Sequence, residues 1–447
     1  MSEVSRRAFL GRAGLAAGGV AASGAALGLL GACTGSTDEQ VGVPPVPLDP
    51  NDWDSVRGQF ALSPDLLQFS AFVLASPPRQ VTDAITKHRT RLDEDTVGYL
   101  NREEPALDSA VLSAAAGYLE TEPDTIALTD STTMGLGLIY GGLRMSPGQE
   151  VLTTDQDFYS THEALQMRAA RDDVTVRMVK LYDYAATASV DEIVSRLREA
   201  LAPSTRAVAL TWVHSGTGVK LPVAEISAEI HTRASEMGIE RPLLCLDSVH
   251  GFGIEDSSPA DLGCDFMISG AHKWLFGPRG TGLVWGSIES WEQIDTSIPS
   301  FAPGIVGAYL QDLPPVGVAP GAAATPGGYK AFEQRWALSE AFALHQAIGR
   351  DRIAERTHEQ ARQLKAGLAE LNSVRVVTPR DPDLSSGIVC LAVEGASIFE
   401  LPARLREQYG LVASITPYRQ PYLRLGPSLL TSPDDVEVAI EAIDMVR

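Results

Sequence analysis

The chain has 447 residues, with 36 basic and 57 acidic side chains and a formal net charge of −21. That length gives two or three domains at roughly 100–200 residues each, and 44% hydrophobic with 21% charged residues excludes overall disorder. The acidic balance argues against a nucleic-acid-binding surface and against general attraction to anionic lipid, and four cysteines are too few for a disulfide scaffold.

The first 32 residues differ from the rest. They hold Arg6, Arg7, Arg12 and Glu3, so the remaining 33 basic and 56 acidic residues carry −23. An uncharged run of small and apolar residues fills 13–32. A positive start, an apolar middle and a small-residue exit make an export signal. The run is also long enough to span a bilayer as an uncleaved anchor, although its Gly and Ala make it weakly hydrophobic. Ser5-Arg6-Arg7-Ala8-Phe9-Leu10 resembles the twin-arginine signature, and Leu30-Gly31-Ala32-Cys33 resembles the lipobox of bacterial lipoproteins. These resemblances imply export by the twin-arginine route to the cell envelope, in the periplasm or on the outer face of the membrane. Cys33 is then the lipid-bearing N-terminus, and that anchor is the only membrane contact. Residues 33–50, rich in Gly, Ser, Thr, Pro and Asp, read as a flexible tether.

Residues 51–80 form an N-terminal segment, and from there helical and strand-like patterns alternate. Residues 78–101 and 109–119 read as helices, 126–128 as a strand running into Thr129-Asp130-Ser131-Thr132-Thr133, and 150–154 as the next strand. Strands follow at 174–180, 207–213, 243–247, 266–269 and 282–286, with helices around 163–170, 190–201 and 223–238 between them. This alternation predicts an α/β fold, a mostly parallel sheet covered by helices on both faces, over residues 81–310. Binding residues should lie where strands end. Residues 311–328, in a Pro-, Gly- and Ala-rich stretch beginning near 299, read as a crossing loop. Residues 329–447 read as a smaller α+β domain. Its helices are expected at 329–349, 352–372 and 399–409, and its strands at 374–377, 387–393, 411–416 and 422–426. A last helix starts at Ser432-Pro433-Asp434-Asp435, with Ser432 as its N-cap.

The chemistry gathers at strand ends. The apolar run Leu243-Leu244-Cys245-Leu246 delivers Asp247, and His250 follows three residues later. A second apolar strand ends in Gly270-Ala271-His272-Lys273, followed by the glycine-rich Gly277-Pro278-Arg279-Gly280-Thr281-Gly282. A strand-end Asp and a strand-end His-Lys are what a pyridoxal phosphate (PLP) site requires. The lysine amine forms the Schiff base, and the carboxylate keeps the pyridinium nitrogen protonated so that the ring can act as an electron sink. Hydroxyls at Ser131, Thr132 and Thr133 before a helix suit a phosphate, although such clusters also serve as plain N-caps.

From about residue 66 to the C-terminus, and most specifically over 247–282, the chain resembles the class V aminotransferase family of fold-type I PLP enzymes. It resembles in particular the isopenicillin N epimerase-like and selenocysteine lyase-like branch. The resemblance implies a large PLP-binding domain with a smaller α+β domain, Lys273 as the Schiff-base lysine and Asp247 as the partner of the pyridine nitrogen. His250 stands where cysteine desulfurases have a glutamine that contacts the ring hydroxyl, and His272 precedes the lysine as in the family. Many members have a serine where this chain has Gly270. Thr132 and Thr133 match the two threonines of the phosphate loop. Phe158 or Tyr159 supplies the ring stacked on the cofactor, and Ser215 falls where desulfurases carry an asparagine. Arg424, inside an apolar strand, is implied to meet the substrate carboxylate, with an internal salt bridge as the alternative. Thr325 matches a threonine that reaches a neighbouring subunit's phosphate, which implies a homodimer with a shared active site.

A bound PLP supports transamination, epimerisation or elimination, according to how the Cα proton is handled. Residues 403–447 contain no cysteine, so thiolate-dependent desulfuration is disfavoured. The expectation is an aminotransferase or epimerase acting on a small amino-acid substrate. A C–S or C–N lyase, or an exported inactive binding protein that keeps the fold, are the alternatives. No HExxH or Cys/His spacing suggests a metal.

Overall fold

A computed structural model describes residues 47–446. The export signal, Cys33 and nearly all of the tether lie outside the described residues. A short strand β1 (Leu67–Gln68) precedes two helices, Arg79–Glu94 and Thr96–Leu119. Seven strands follow: β2 (Ile126–Thr129), β3 (Glu150–Thr154), β4 (Thr175–Val179), β5 (Thr205–Thr211), β6 (Leu243–Asp247), β7 (Phe266–Gly270) and β8 (Gly282–Gly286). They form one sheet in the order β2-β8-β7-β6-β5-β3-β4. The pairs from β4 through β7 are parallel, and β8 is antiparallel to both β7 and β2.

Every residue of β2, β3 and β5–β8 is buried, which is why the middles of these runs are apolar instead of alternating, with polar residues such as Glu150, Thr154, Thr205 and Thr211 at the strand ends. Only the edge strand β4 is partly exposed. Parallel pairing brings the C-terminal ends of β3, β5, β6 and β7 to one edge, and the chemistry-bearing loops start there.

The C-terminal part carries β9 (Val374–Val376), β10 (Val389–Val393), β11 (Leu411–Val412), β12 (Ser414–Ile415) and β13 (Leu423–Leu425). β12-β13-β10-β9 is an antiparallel sheet. It packs through Leu391, Leu423 and Leu425 against Leu364 and Leu368 of the helix Arg350–Ala369 and Val436 of the helix Pro433–Met445. β11 pairs in parallel with β1, so the N-terminal segment is stitched to the last part of the chain.

Three element readings change. The predicted break between residues 101 and 109 does not exist, because the helix Thr96–Leu119 runs through Pro105. The real break is Asp95, whose side chain accepts from Gly98 N and caps the second helix. The Pro-, Gly- and Ala-rich stretch from 299 holds two helices, Pro303–Leu310 just before the predicted crossing loop and Pro320–Ala324 within it. The helix expected over 329–349 is two, Phe332–Trp336 and Leu338–Ile348. The first of these is anchored by Trp336 Nε1 donating to Asp108 Oδ1 at 3.1 Å.

Candidate active site

Asp247 is the last residue of β6 and is buried. Its Oδ1 accepts from Val249 N at 3.1 Å, which holds the carboxylate over the strand end. Burial pushes its carboxyl above the ordinary aspartate range, opposed by the Val249 N–H and by Lys273. Lys273 lies three residues beyond β7 in a tight turn, where Gly277 N donates to Ala271 O at 2.8 Å and Phe276 N to Lys273 O at 3.0 Å. Phe276, fully buried, takes φ +56°, a left-handed conformation unusual for a bulky residue. Burial holds the Lys273 amine below its ordinary value, with Asp247 opposing and Arg424 adding to the shift. Its Nζ is 3.5 Å from His250 Nε2. Burial first, then Lys273 and Arg424, keeps His250 well below its usual range, so its imidazole is neutral.

The opposite wall comes from the loop after β3. Asp157 is buried, and its carboxylate takes three donors: Thr153 Oγ1 at 2.7 Å, Thr154 N at 2.7 Å and Thr211 N at 2.6 Å. These tie the loop to the ends of β3 and β5 and turn Phe158 toward Lys273. Tyr159 is 66% exposed and starts a helix, Tyr159–Arg171, so of the two rings it is Phe158 that faces the cavity. Ser215 Oγ lies 2.9 Å from the hydroxyl of Tyr418, which reaches over from the loop between β12 and β13. The Tyr418 ring packs edge-on against Phe158, with centroids 6.2 Å apart.

Asp247, His250, Lys273, Phe158, Ser215 and Arg424 line one cavity of about 240 Å³, together with Phe72, Val73, Thr211, Val249 and Pro417. Arg424 is buried on β13. Its Nε donates to Ser414 Oγ at 3.1 Å and its Nη1 to Ser215 O at 3.2 Å. Among the described residues it forms no ion pair, so the internal salt bridge left open by the sequence is absent there.

A second cluster sits at the start of the helix Thr132–Gly142. Ser131 Oγ caps it by accepting from Met134 N at 3.2 Å. Thr132 Oγ1 accepts from Gly270 N at 2.7 Å, which leaves its own proton free to donate. A Cβ on Gly270 would fall 2.8 Å from His272 Cε1 and 3.1 Å from Thr132 Oγ1. Gly270, the glycine of this turn, is therefore what allows His272 and Thr132 to close together. Thr133 is exposed on the first turn. Thr325 lies apart, beside a different cavity of about 430 Å³. Its hydroxyl donates to Gly321 O at 2.9 Å and accepts from Leu128 N at 3.0 Å.

These residues fit PLP. The cavity offers an amine and a buried carboxylate. A threonine hydroxyl with a spare proton stands at a helix start, and the Nδ1 atoms of His250 and His272 are buried without a partner among the described residues. No three His, Cys, Asp or Glu side chains converge as a metal would need, again among the described residues. Phe72, Asp157 and Tyr418 were not singled out by sequence. Asp157 stands beside Phe158 just past a strand, which is a usable signal. Phe72 and Tyr418 lie in segments without periodicity.

A family model for class V aminotransferases matches residues 111–414. Isopenicillin N epimerase of Streptomyces clavuligerus is 26% identical over 407 residues, 88% of this chain and 98% of that protein. A probable cysteine desulfurase of Methanothermobacter thermautotrophicus is 27% identical over 174 residues, 39% of this chain and 40% of that protein. Among solved structures, the cystine C–S lyase C-DES in complex with cysteine persulfide superposes with a TM-score of 0.76 at 22% identity, covering 84% of this chain and 97% of that one. Cysteine desulfurase CsdA from Escherichia coli gives 0.74 at 20% identity, covering 88% and 98%. At these identities the structural likeness is one of fold.

Proposed function

Because the chain belongs to the class V aminotransferase family of PLP-dependent enzymes, we propose that it acts at Cα of a small amino-acid substrate, in an epimerisation or a transamination. The observation that carries this reading is the single cavity lined by Lys273, Asp247 and Arg424. When bound, the cofactor supplies an electron sink that stabilises negative charge at Cα. Lys273 Nζ, held toward its neutral form by burial, is the group that takes the Cα proton and returns it. Asp247 keeps a proton at the pyridine nitrogen, His250 offers a neutral hydrogen-bonding edge beside the lysine, and Phe158 covers the ring. Thr132, Thr133 and His272 hold the phosphate end. Arg424 takes the substrate carboxylate.

Epimerisation is favoured by the relative matched along nearly its whole length. Elimination, as in a C–S or C–N lyase, would use the same lysine. Desulfuration would need a thiol at the site, and among the described residues none lines the cavity. Cys390 lies behind Ser215, with its Sγ 3.9 Å from Ser215 O, and burial pushes its thiol up to about 12.

The test is a panel of amino acids offered to the cofactor-loaded protein in deuterated water. Deuterium at Cα with inverted configuration marks an epimerase, and keto acid with aminated cofactor marks an aminotransferase. Release of a sulfur species or ammonia with pyruvate marks a lyase. Lys273→Ala should lose both the visible cofactor band and all exchange. A wild-type protein that purifies colourless and takes up no PLP would instead be an inactive binding protein.

We further infer that a second copy of the chain shares the site through Thr325, since the neighbouring helix Pro303–Leu310 buries none of its residues. Twin-arginine export with lipid attachment at Cys33 is proposed from the sequence signature. Replacing Arg6 and Arg7 by Lys should hold the protein in the cytoplasm, and labelled palmitate should be incorporated only when Cys33 is present. Unchanged fractionation of the Lys pair would overturn the export route.

A further inference from the structure

Arg424 and Gly426 are two residues apart along β13 and its end, so they face the same side. A Cβ on Gly426 would lie 2.5 Å from Phe72 Cδ1. The Phe72 ring fills the slot that the glycine leaves and lies beneath Arg424, with the guanidinium carbon 4.5 Å from the ring centroid. The same ring stands edge-on to His250, with centroids 6.5 Å apart. Phe72 is 1% exposed, yet it lines the cavity beside Arg424 and Lys273.

The backbone around Phe72 is pinned on both sides. Gly426 N donates to Phe69 O at 2.8 Å, and Ser70 Oγ donates to Val412 O at 2.9 Å. Ala75 N then donates to His272 O at 2.9 Å. This short segment therefore runs from the strand that carries Arg424 to the turn that carries Lys273. Arg424 uses Nε and Nη1 for neutral oxygens, and no hydrogen bond reaches its Nη2 among the described residues.

We propose that Phe72 is a positioning residue for the substrate carboxylate: its ring holds the Arg424 guanidinium flat, with the charge undischarged and Nη2 turned into the cavity. An acidic partner would anchor the arginine equally well, but it would neutralise the charge that the substrate needs. The quadrupole of a ring attracts a cation, more strongly away from water, and leaves its hydrogen-bonding edge free. A buried guanidinium with neither partner would swing toward solvent to recover its hydration. This inference rests on the reading of Arg424 as the carboxylate handle.

The experiment uses the cofactor-loaded protein and two probes, propionate, which has a carboxylate and no amine, and propylamine, which has the reverse. Dissociation constants are read from the visible absorbance of the bound cofactor, alongside the melting temperature. Phe72→Met fills the slot without a π face, Phe72→Tyr keeps the ring, and Gly426→Ala pushes the ring from the other side. Phe72→Met and Gly426→Ala should each weaken propionate by about three- to tenfold and leave propylamine unchanged. Phe72→Tyr should bind propionate as the wild type does, whereas in Phe72→Met and Gly426→Ala the substrate KM should rise more than kcat falls. Equal weakening of both probes, or wild-type propionate affinity in Phe72→Met, overturns the proposal. Should Phe72→Met fail to fold, the Gly426→Ala and Phe72→Tyr comparison decides in the same way. Arg424→Gln separates the two layers. If it leaves propionate binding intact, the carboxylate reading falls and takes this inference with it. If it abolishes binding while Phe72→Met does not weaken it, only the role of Phe72 falls.

Discussion

Asp157 does more to shape the candidate site than its exposure suggests, because one carboxylate gathers a hydroxyl and two backbone N–H groups from two strands. Removing it in Asp157→Ala leaves three buried donors unpaired, a cost of about 3 kcal/mol, and frees Phe158 to drift. The expected outcome is a lower melting temperature together with faster cofactor loss, followed by absorbance during dialysis. Tyr159→Ala, on the exposed side of the same loop, should change neither, and equal loss in both variants would refute the assignment of Phe158. The Asp247, His250 and Lys273 positions were legible in the sequence because each stands at the end of a buried apolar strand or within three residues of it. Asp157 shows in the sequence only as a polar residue beside Phe158 just past a strand, since its role depends on donors from β3 and β5 that sequence order does not bring together. The Ser215–Tyr418 contact was hidden for the same reason: it spans 203 positions of the chain.

Among the elements, local chemistry was read well and tertiary context poorly. Ser432 caps the last helix as its sequence predicts, accepting from Asp435 N at 3.1 Å while Asp435 Oδ2 accepts from Ser432 N at 2.8 Å, because a capping box needs only four consecutive residues. The helix Thr96–Leu119 survives Pro105 because the rest of its turns are held by packing, and this no local rule foresees. The helix Pro303–Leu310 has no polar face and hence no period for a sequence to show. Its Tyr309 and Leu310 are 81% and 75% exposed, and Phe301 and Val316 beside it are exposed as well. Such an apolar patch fits the proposed second copy. Replacing Tyr309 and Leu310 by Asp should halve the particle mass in sedimentation equilibrium if that copy docks there. An unchanged mass would rule this face out as the interface.

At the scale of the whole molecule, the two sheets are joined by a buried polar knot. Glu255, a few residues past His250, accepts from His358 Nε2 at 2.8 Å and from Ser386 Oγ through Oε1, and its Oε2 lies 3.1 Å from Lys220 Nζ. His358 and Ser386 belong to the C-terminal part. Burial alone would raise the Glu255 carboxyl, but His358, Lys220 and Ser386 together draw it below its ordinary value. Its folded value is thus the lower one. The stabilisation it gives is complete above the unfolded carboxyl range and is lost as pH falls through the folded value. Glu255→Gln should cost about 3 kcal/mol near neutral pH, measured by chemical denaturation, and the gap to wild type should close as pH falls below the ordinary carboxyl range. A gap that stays constant with pH would show that the charge of Glu255 plays no part.

The segment that seats Phe72 has a further consequence for how the protein is made. Ser70 and its partner Val412 are separated by 342 positions. On the ribosome the first of these emerges long before the second, and β1 stands without its neighbour until β11 has been synthesised. The seven-stranded sheet, complete by Gly286, can assemble earlier. The lysine side of the cavity is therefore built first, and the arginine side closes only when both chain ends meet, so a nascent chain cut before β13 carries the amine without the clamp.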